Sequence, residues 1–401
     1  MYKSILFITA GEVPSLAGLH ASQIIEPARI LSQRGHEVHW VAIVPIFSFL
    51  KNWTENKEQL LGVARCCGEL KIKFSYMMAL WNFNGVISFL FRKIFLKQAA
   101  RKLSKKFRPE AGKVVIIHGR SYYAAQIGIY LKKFIGLDER IIASFDMRSL
   151  APEEMPLTRG VIGYMYYGLY KKWEYEIISC SDVSFLPLKY ACEQIKIATG
   201  RDITFAPIQG FDRDAAYAVD FESRWRDRLG GYAGSFGKYQ DPGLLKEMLC
   251  QINGAKSLFA TAPNASLRDC NCISLPFSEM ENYYKKLLFL IIPGRRGGGE
   301  YFQVLKMRCN FFSTKAAEAL SVGVPLFVSS ELAELASFVK ENECGVVYDP
   351  QVRQIVHPEG QNMLDEDFWR KITRNAFSVG EMFTRRKVLE IYENGWEKMI
   401  Q

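Results

Sequence analysis

The sequence predicts an α/β protein made of two Rossmann-like, doubly wound parallel-sheet domains that face a cleft. Short buried strands alternate with helices along the chain, and the alternation starts again after about residue 200. The length of 401 residues supports this division, because a single hydrophobic core seldom serves so long a chain. We therefore expect two domains of the same architecture.

The first half contains the strands and helices of one such domain. Apolar residues recur at helical spacing from Ile24 to Leu31, and Gly35 ends this predicted helix. Strands are predicted around it and further along the chain, at 5–10, 38–44, 113–118 and 140–149. Parallel strands joined by helices carry helices on both faces of their sheet.

The second half repeats the pattern and ends in a helix. A strand, a glycine turn and a helix are predicted within 229–252, and short buried strands follow in SLFATAP, LLFLIIPG and PLFVSS. The segment 383–400 is amphipathic and no strand follows it. We expect an N-terminal domain over 1–205, a C-terminal domain over 206–380, and a C-terminal helix over 381–401 that crosses back to the N-terminal domain.

Composition narrows the class of protein. A hydrophobic fraction of 49% with 23% charged residues is typical of a soluble globular chain. Cys66 and Cys67 are adjacent and Cys270 and Cys272 are one residue apart, so the spacing predicts reduced thiols and no metal site. The opening apolar run is too short for a signal peptide, and no stretch reaches the ~18 apolar residues of a spanning helix. We expect a cytoplasmic protein.

The positive charge lies in the first half. Residues 1–200 hold 27 Lys and Arg against 16 Asp and Glu, whereas the remaining residues hold 25 against 26. Residues 81–109 carry eight of these cations and no acid, among many aromatic and aliphatic residues. This segment predicts a helix on an anionic membrane surface, at the inner face of the cell membrane. The alternative is a core-packed helix with a solvated basic face; nucleic-acid binding is not expected, because no recognition motif accompanies the charge.

Two loops that follow predicted strands carry candidate phosphate ligands. Ligands of doubly wound sheets bind beyond the carboxyl ends of the strands. The turn GSFGKYQ brings Gly234, Gly237 and Lys238 together, which suits a phosphate or an ordinary solvated turn. Neither a dinucleotide fingerprint nor a P-loop is present.

The second loop opens the segment STKAAEALSVGVPLFVSS, at 313–330. Ser313 or Thr314 can cap the helix, which leaves Lys315 in its first turn and Glu318 one turn later. A helix N-terminus with a lysine suits a pyrophosphate, and a nearby carboxylate suits a pair of ribose hydroxyls. The alternative is a surface ion pair between Lys315 and Glu318, worth only ~0.2–0.5 kcal/mol.

Several segments also occur in the order found in a known family. They are APIQGFD (206–212), GYAGSFGK (231–238), MENYYKKLLFLIIPGRR (280–296) and STKAAEALSVGVPLFVSS (313–330). The chain resembles the retaining glycosyltransferases of family 4, which have the two-lobed B-type fold (GT-B). The last segment resembles the P-T-K-x-x-E donor signature of surface-polysaccharide members. Segments of the first half, such as IIHGRSYYAA and SFDMRSLAPEE, match the same subgroup.

The resemblance implies a hexosyltransferase-like enzyme that moves a sugar from a nucleotide-sugar donor to a glycan or lipid-linked acceptor, with retention, in bacterial surface polysaccharide biosynthesis. Neither a cofactor nor a metal is implied. Glu318 would hold the ribose, while Lys315 and Lys238 would face the diphosphate and stabilise the charge of the leaving group. The full donor-binding set is Gly18, Ser235, Gly237, Lys238, Arg296, Thr314, Lys315 and Glu318. The catalytic set is Lys238, Lys315, Asp146 and Arg148, and the acceptor-side set is His20, Gln23 and Arg120.

Three positions depart from the general family pattern. Asn310 stands where the E-x7-E pair ending at Glu318 has its first glutamate, Ser235 replaces the arginine of the phosphate turn, and Asp146 replaces a histidine. The missing positive charge could come from three other side chains that follow strands, or these could be solvated loop residues: Arg120, Arg148 and Arg296. Two other functions remain open, namely a sugar-nucleotide-binding protein without chemistry and a sugar-nucleotide epimerase on the same fold.

Overall fold

The strands of the chain form two separate sheets. The computed structural model describes residues 3–16, 18–80, 89–107, 113–136, 140–214, 216–236, 240–262, 264–296, 301 and 313–401. In these residues the first sheet contains β1 (Lys3–Ala10), β2 (Glu37–Pro45), β3 (Lys73–Ala79), β4 (Val114–Arg120), β5 (Ile141–Asp146), β6 (Val183–Leu186) and β7 (Thr204–Phe205). The second contains β8 (Leu229–Ala233), β9 (Lys256–Ala260), β10 (Cys272–Ile273), β11 (Phe289–Ile292), β12 (Leu326–Ser329), β13 (Gly345–Asp349) and β14 (Gln354–His357).

Both sheets are doubly wound. The strand order is β3-β2-β1-β4-β5-β6-β7 in the first sheet and β10-β9-β8-β11-β12-β13-β14 in the second. Neighbouring strands run parallel except β13 and β14, which pair antiparallel at an edge of the second sheet. The direction of winding reverses between β1 and β4 and again between β8 and β11. Ligand sites of such sheets lie beyond the carboxyl ends of the strands at these reversals.

Helices connect the strands. In the first half they are α1 (Glu26–Gln33), α2 (Ile46–Lys51), α3 (Trp53–Glu69), α4 (Arg92–Lys106), α5 (Tyr122–Ile135), α6 (Ala151–Arg159), α7 (Val161–Cys180) and α8 (Lys189–Thr199). A short helical turn at Gly18–His20 and a π-helical segment at Ala21–Ile25 lead into α1. In the second half they are α9 (Phe221–Asp227), α10 (Pro242–Cys250), α11 (Met280–Lys285), α12 (Thr314–Ser321), α13 (Ala333–Glu341), α14 (Glu366–Gly380) and α15 (Arg385–Glu397). None of the helices in the described residues is long and apolar enough to span a bilayer.

The first sheet is covered on both faces because alternate residues of its buried strands point to opposite sides. Ile5 and Phe7 of β1 pack with α1, α3 and α15 on one face. Leu6 and Ile8 pack with α4 and α5 on the other face. This arrangement explains why the central strands are nearly continuous apolar runs in the sequence.

The last helix, α15, packs against the first sheet although it follows the second sheet in the chain. Trp396 donates a hydrogen bond of 3.1 Å from its indole nitrogen to the Ser144 hydroxyl on β5. Tyr392 donates one of 3.1 Å from its hydroxyl to Oδ1 of Asp146, at the end of the same strand. The segment 381–401 therefore contacts the sheet formed by the first 205 residues.

Candidate functional site

The helix α12 begins at the carboxyl-end side of the second sheet, capped by Ser313. The Ser313 hydroxyl accepts a hydrogen bond of 3.4 Å from the amide of Ala316, so Ser313 and not Thr314 is the capping residue. The small residues of α12 allow close packing against the segment before the second domain's first helix. A Cβ on Gly210 would lie 2.5 Å from the carbonyl oxygen of Ala317. The Ser321 hydroxyl accepts a hydrogen bond of 2.8 Å from the amide of Phe211.

Glu318 lies one turn into α12 and is buried. The hydroxyl of Tyr284, on α11, donates a hydrogen bond of 3.0 Å to its Oε2 atom. Burial raises the pKa of Glu318 to about 7, although the Tyr284 hydrogen bond and the charge of Arg385 act in the opposite direction. The alternative of a solvent-exposed ion pair therefore does not describe Glu318.

Lys315 lies half-buried in the first turn of α12 and faces the glycine turn after β8. Its ammonium group donates to Oε1 of Gln240 at 3.1 Å and to the hydroxyl of Tyr232 at 3.4 Å, and lies 4.5 Å from the centroid of the Tyr232 ring. Burial lowers the pKa of Lys315 to about 7, against the opposing charge of Glu318. Charge on this amine is therefore sensitive to a neighbouring anion.

The glycine turn approaches the same lysine. Gly234 has φ of +102°, a conformation that favours glycine, and a Cβ on it would lie 3.4 Å from Nζ of Lys315. Ser235 is exposed, and its carbonyl oxygen accepts a hydrogen bond of 3.1 Å from Tyr232. Two predicted ligands of this turn, Gly237 and Lys238, lie outside the described residues, as does Asn310.

For three other predicted donor ligands, namely Thr314, Arg296 and Gly18, the structure gives a position but no contact with the side chains of Lys315 or Glu318. Thr314 is half-buried beside Lys315 at the start of α12. Arg296 follows β11 and forms an ion pair with Glu247 of α10, so it is not a fully solvated loop residue. Gly18 lies in the other half of the chain, where its carbonyl oxygen accepts a hydrogen bond of 3.1 Å from the Ser22 hydroxyl.

The catalytic candidates of the first half form an ion pair at the end of β5, between the buried Asp146 and the half-buried Arg148. Oδ2 of Asp146 lies 2.6 Å from Nε of Arg148 and 3.5 Å from Nε2 of His118, and Oδ1 accepts the Tyr392 hydrogen bond. Burial disfavours the charged carboxylate, but the Arg148 guanidinium and the hydrogen bond from His118 outweigh it and hold the pKa of Asp146 well below its usual range. Both carboxylate oxygens of Asp146 are thus engaged within the protein.

The acceptor-side candidates lie together at the ends of β1 and β4. Arg120 donates a hydrogen bond to Oε1 of Gln23, in the π-helical segment. Burial, together with the nearby charge of Arg148, lowers the pKa of Arg120 to about 10. His20 is buried 3.5 Å from a carboxylate oxygen of Glu12, and burial lowers its pKa. The three predicted acceptor-side residues therefore adjoin the Asp146–Arg148 pair.

A cavity of about 570 Å³ lies between residues of the two halves. Its walls include Ala21 and Ile25 from the first half and Phe211 and Phe277 from the second. Arg385 of α15 also lines it, with one guanidinium nitrogen 3.8 Å from Oε2 of Glu26. Its buried Nε has no hydrogen-bond partner among the described residues. Phe211 contacts Tyr284, with ring centroids 6.0 Å apart, so the cavity adjoins the Glu318 site.

Several side chains of this site were not predicted from the sequence. They are Tyr232, Gln240 and Tyr284 around α12, and His118, Arg385 and Tyr392 around the first sheet. Tyr232, Gln240 and Tyr284 do fall inside or beside the family-like segments, so their position in those segments could have indicated them. No signal in the sequence indicates that Tyr392 contacts Asp146, because 246 residues separate them. Among the described residues, no group of three or more His, Cys, Asp or Glu side chains could hold a metal ion.

The chain is similar to known proteins in structure, over nearly its whole length, but not in sequence. No protein-family model matches the chain, and no curated protein matches it in sequence. The chain is similar to sucrose-phosphate synthase from Thermosynechococcus elongatus, with a TM-score of 0.61, 12% identity and 99% of each chain covered. It is similar to α,α-trehalose 6-phosphate synthase from Burkholderia multivorans, with a TM-score of 0.57, 8% identity and 99% of each chain covered. It is also similar to the lipopolysaccharide outer core galactosyltransferase WaaB, with a TM-score of 0.51, 14% identity and 98% and 99% of the chains covered.

These likenesses concern the fold, since the identities are low. Together with the two doubly wound sheets, they confirm the predicted fold class: two Rossmann-like domains of the GT-B type.

Proposed function

We propose that the chain is a retaining glycosyltransferase that moves a sugar from a nucleotide-sugar donor to a glycan or lipid-linked acceptor. The observation that carries this proposal is the meeting of Lys315, Glu318 and the Gly234 turn at the N-terminus of α12, in a GT-B fold. A cation, a helix N-terminus and a buried carboxylate within one turn of helix match the diphosphate and the ribose of a nucleotide.

In this proposal Lys315 binds the donor diphosphate. Its ammonium group faces the glycine turn, where backbone can approach a ligand closely. The capping residue Ser313 and its neighbour Thr314 would complete the phosphate side, together with Lys238, Arg296, Ser235 and Gly237. The negative charge of the leaving nucleoside diphosphate grows in the transition state. These groups therefore stabilise the transition state more strongly than the ground state.

Glu318 accepts hydrogen bonds from the ribose hydroxyls, and Tyr284 fixes the direction of its carboxylate. The cavity beside Tyr284 then receives the base, because Phe211 and Phe277 offer it aromatic walls. Its volume of about 570 Å³ lies within the range of small-ligand pockets.

The acceptor lies against the first half, at His20, Gln23 and Arg120. Arg148 and Asp146 stand beside them, and both carboxylate oxygens of Asp146 already have partners. This favours Asp146 as a residue that positions Arg148 toward the donor and argues against its service as a covalent nucleophile. A Cβ on Gly18 would have no described heavy atom within 4 Å, so the donor sugar could approach the chain at this residue.

The class of acceptor is inferred from two supports. The segment 313–330 resembles the donor signature of surface-polysaccharide enzymes, and one structurally similar protein is the lipopolysaccharide outer core galactosyltransferase WaaB. We also propose that the basic segment 81–109 binds an anionic membrane surface at the cytoplasmic face. Its described part, 89–107, carries seven Lys and Arg and no acid, and each cation near such a surface contributes about 1 kcal/mol.

A panel of UDP-, GDP- and dTDP-sugars tests the proposal. Each sugar-nucleotide is added to the purified chain, and the midpoint of thermal unfolding is measured. A donor stabilises the folded state by RT ln(1 + [L]/Kd), so weak donors also register at high concentration. Release of nucleoside diphosphate with a glycan acceptor then identifies a transferase. Binding without release would favour a binding protein, and conversion of the sugar without acceptor would favour an epimerase.

A further inference from the structure

The helical hairpin of α6 and α7 ends in a large exposed apolar surface. Val161, Met165 and Leu169 follow one another at a spacing of four residues along α7, and Val161 and Met165 are 76% and 74% exposed. Residues at this spacing share one face of a helix. Ile162 is half exposed beside them. Contiguous exposed apolar surface of this kind marks an interaction site.

The surface continues onto the start of α4. Phe89 stacks on Tyr170 of α7 with ring centroids 3.8 Å apart, and Lys93 pairs with Glu176 of α7 at 2.8 Å. Next to these anchors the apolar side chains of three residues are about half exposed, namely Leu90, Phe91 and Ile94. We call the side chains of Leu90, Phe91, Ile94, Val161, Ile162, Met165 and Leu169 the apolar tip.

The hairpin that carries the apolar tip is closely packed. Gly160 separates α6 from α7, and a Cβ on Gly163 would lie 2.2 Å from the carbonyl oxygen of Met155 on α6. Lys171 bridges Glu153 of α6 and Glu174 of α7 at 2.8 and 2.5 Å. The two helices therefore present the tip as one unit, and the exposed side chains are not needed to hold them together.

The positive charge of the neighbouring segment 89–107 indicates which partner binds the apolar tip. Residues 89–107 contain seven cations and no anion, in the same segment as Leu90, Phe91 and Ile94. Two copies of this chain that met through the tip would bring two such cationic helices together, which charge repulsion opposes. An anionic lipid surface instead attracts the helix while its hydrocarbon receives the apolar side chains.

We propose that the apolar tip inserts into the surface of an anionic bilayer, with α7 supplying the part that enters the lipid and α4 the electrostatic attraction. This deepens the membrane part of the proposed function and rests on it. The sequence located the membrane contact only in 81–109, whereas the geometry assigns α7 to it as well. Apolar insertion is insensitive to salt, unlike attraction by α4, whose range falls to about 10 Å at 0.1 M salt.

Co-sedimentation of the full chain with vesicles tests the proposal. Vesicles of phosphatidylcholine alone are compared with vesicles that also contain phosphatidylglycerol, at low and high salt. Wild-type chain is expected to bind the anionic vesicles and to retain part of this binding at high salt. A triple variant combines Val161→Ser, Met165→Ser and Leu169→Ser. Its partition coefficient into the anionic vesicles is expected to be about tenfold lower than that of the wild type. Ile197→Ser, at a residue of α8 that is 79% exposed, is the matched control and is expected to bind as wild type.

Other results would overturn the proposal. Equal binding of the triple variant and the control would show that α7 does not enter the lipid. Absence of binding to either vesicle would exclude a membrane role, and a wild-type dimer that the triple variant dissociates would assign the tip to self-association. Thermal protection by donors is measured on the same variants. Loss of vesicle binding with unchanged donor protection is expected, so failure of this proposal is distinguishable from failure of the donor site.

Discussion

Tyr284 and Glu318 form a buried hydrogen bond, in which the phenol hydroxyl donates to Oε2 of the carboxylate over 3.0 Å. Both side chains are buried, and the two residues belong to separate helices, α11 and α12. One lone-pair direction of the carboxylate is thus used by the protein, and the carboxylate is held in a fixed orientation. Burial of Glu318 without a ligand raises its pKa, which is a cost that a bound donor can relieve.

Glu318→Ala is expected to weaken donor binding, because each hydrogen bond from a ribose hydroxyl to a charged acceptor contributes roughly 1.5–3 kcal/mol. Glu318→Gln should lose less, since it keeps one acceptor oxygen. Isothermal titration calorimetry with the best donor of the panel measures both. Glu359→Ala, at an exposed glutamate, serves as the control. Unchanged donor affinity in the alanine variant would contradict the ribose assignment.

Removal of the same carboxylate should stabilise the free protein. The pKa of Glu318 is about 7 in the folded state and its ordinary value is 4.5, so the folded state disfavours the ionised form. The folded state is therefore stabilised by the protonated form of Glu318. This stabilisation is fully present below pH 4.5 and is lost as the pH rises through about 7. Glu318→Gln is therefore expected to raise the free energy of unfolding near pH 8, by on the order of 1–3 kcal/mol. Urea unfolding at pH 5 and pH 8 measures this, and a larger gain at pH 5 would contradict it.

Donor binding should exchange protons with the solvent in a direction that depends on pH. The pKa of Lys315 is about 7, and an adjacent diphosphate would raise it, so binding near pH 8 should take up a proton. Hydrogen bonds from the ribose favour the ionised form of Glu318 and lower its pKa, so binding near pH 6 should release a proton. Calorimetry in buffers of different ionisation enthalpy measures both quantities. Lys315→Ala should abolish the uptake and Glu318→Ala the release; proton exchange that is the same in all three proteins would refute both roles.

Lys315→Ala is also expected to reduce kcat by about a hundredfold with a smaller change in KM, because the charge that it stabilises grows toward the transition state. Lys238→Ala should act in the same direction. Steady-state release of nucleoside diphosphate gives both constants. Lys256→Ala, at an exposed lysine of β9, is the matched control. A rise in KM with unchanged kcat would mean that Lys315 binds the ground state and transition state equally.

Most interior strands of both sheets could be predicted from the sequence, whereas the interior strands β6 and β13 and the edge strand β3 could not. The predicted strands at 5–10 and 38–44 lie within β1 and β2, and the predicted strand at 113–118 overlaps β4 from 114 to 118. These strands are buried on both faces of the sheet and therefore give continuous apolar runs. The edge strand β3 consists of exposed and half-buried residues up to Ala79, which is buried, and therefore gives no such run. The hairpin of α6 and α7 also escaped prediction, because exposed apolar residues on α7 remove the polar face that marks an amphipathic helix.

In the candidate site, residues that share one segment could be predicted from the sequence, whereas their partners from other elements could not. Lys315 and Glu318 lie on one segment, so their spacing in the sequence already placed them on adjacent turns of one helix. Whether Ser313 or Thr314 caps that helix was undecided, since either side chain can accept the hydrogen bond. The partners of these residues come from other elements, and their contacts depend on how the helices pack. Tyr284, which contacts Glu318, is of this kind, and so is Tyr392, which contacts Asp146 in the first half.

The contact between Tyr392 and Asp146 should contribute to stability. Tyr392→Phe removes the hydroxyl that α15 donates to β5, and a loss of about 1–2 kcal/mol in the free energy of unfolding is expected. Asp146→Asn should cost more, about 3–5 kcal/mol, because it leaves the largely enclosed Arg148 without its counter-charge. Since the pKa of Asp146 is held below its usual range, the charged form contributes above about pH 4 and its contribution is lost as the pH falls further. Urea unfolding should therefore show a constant deficit for Asp146→Asn from pH 8 to pH 5 and a smaller one below pH 4. Tyr190→Phe, at an exposed tyrosine of α8, controls for the loss of a hydroxyl; if Tyr392→Phe is no less stable than this control, the hydrogen bond between α15 and β5 contributes nothing.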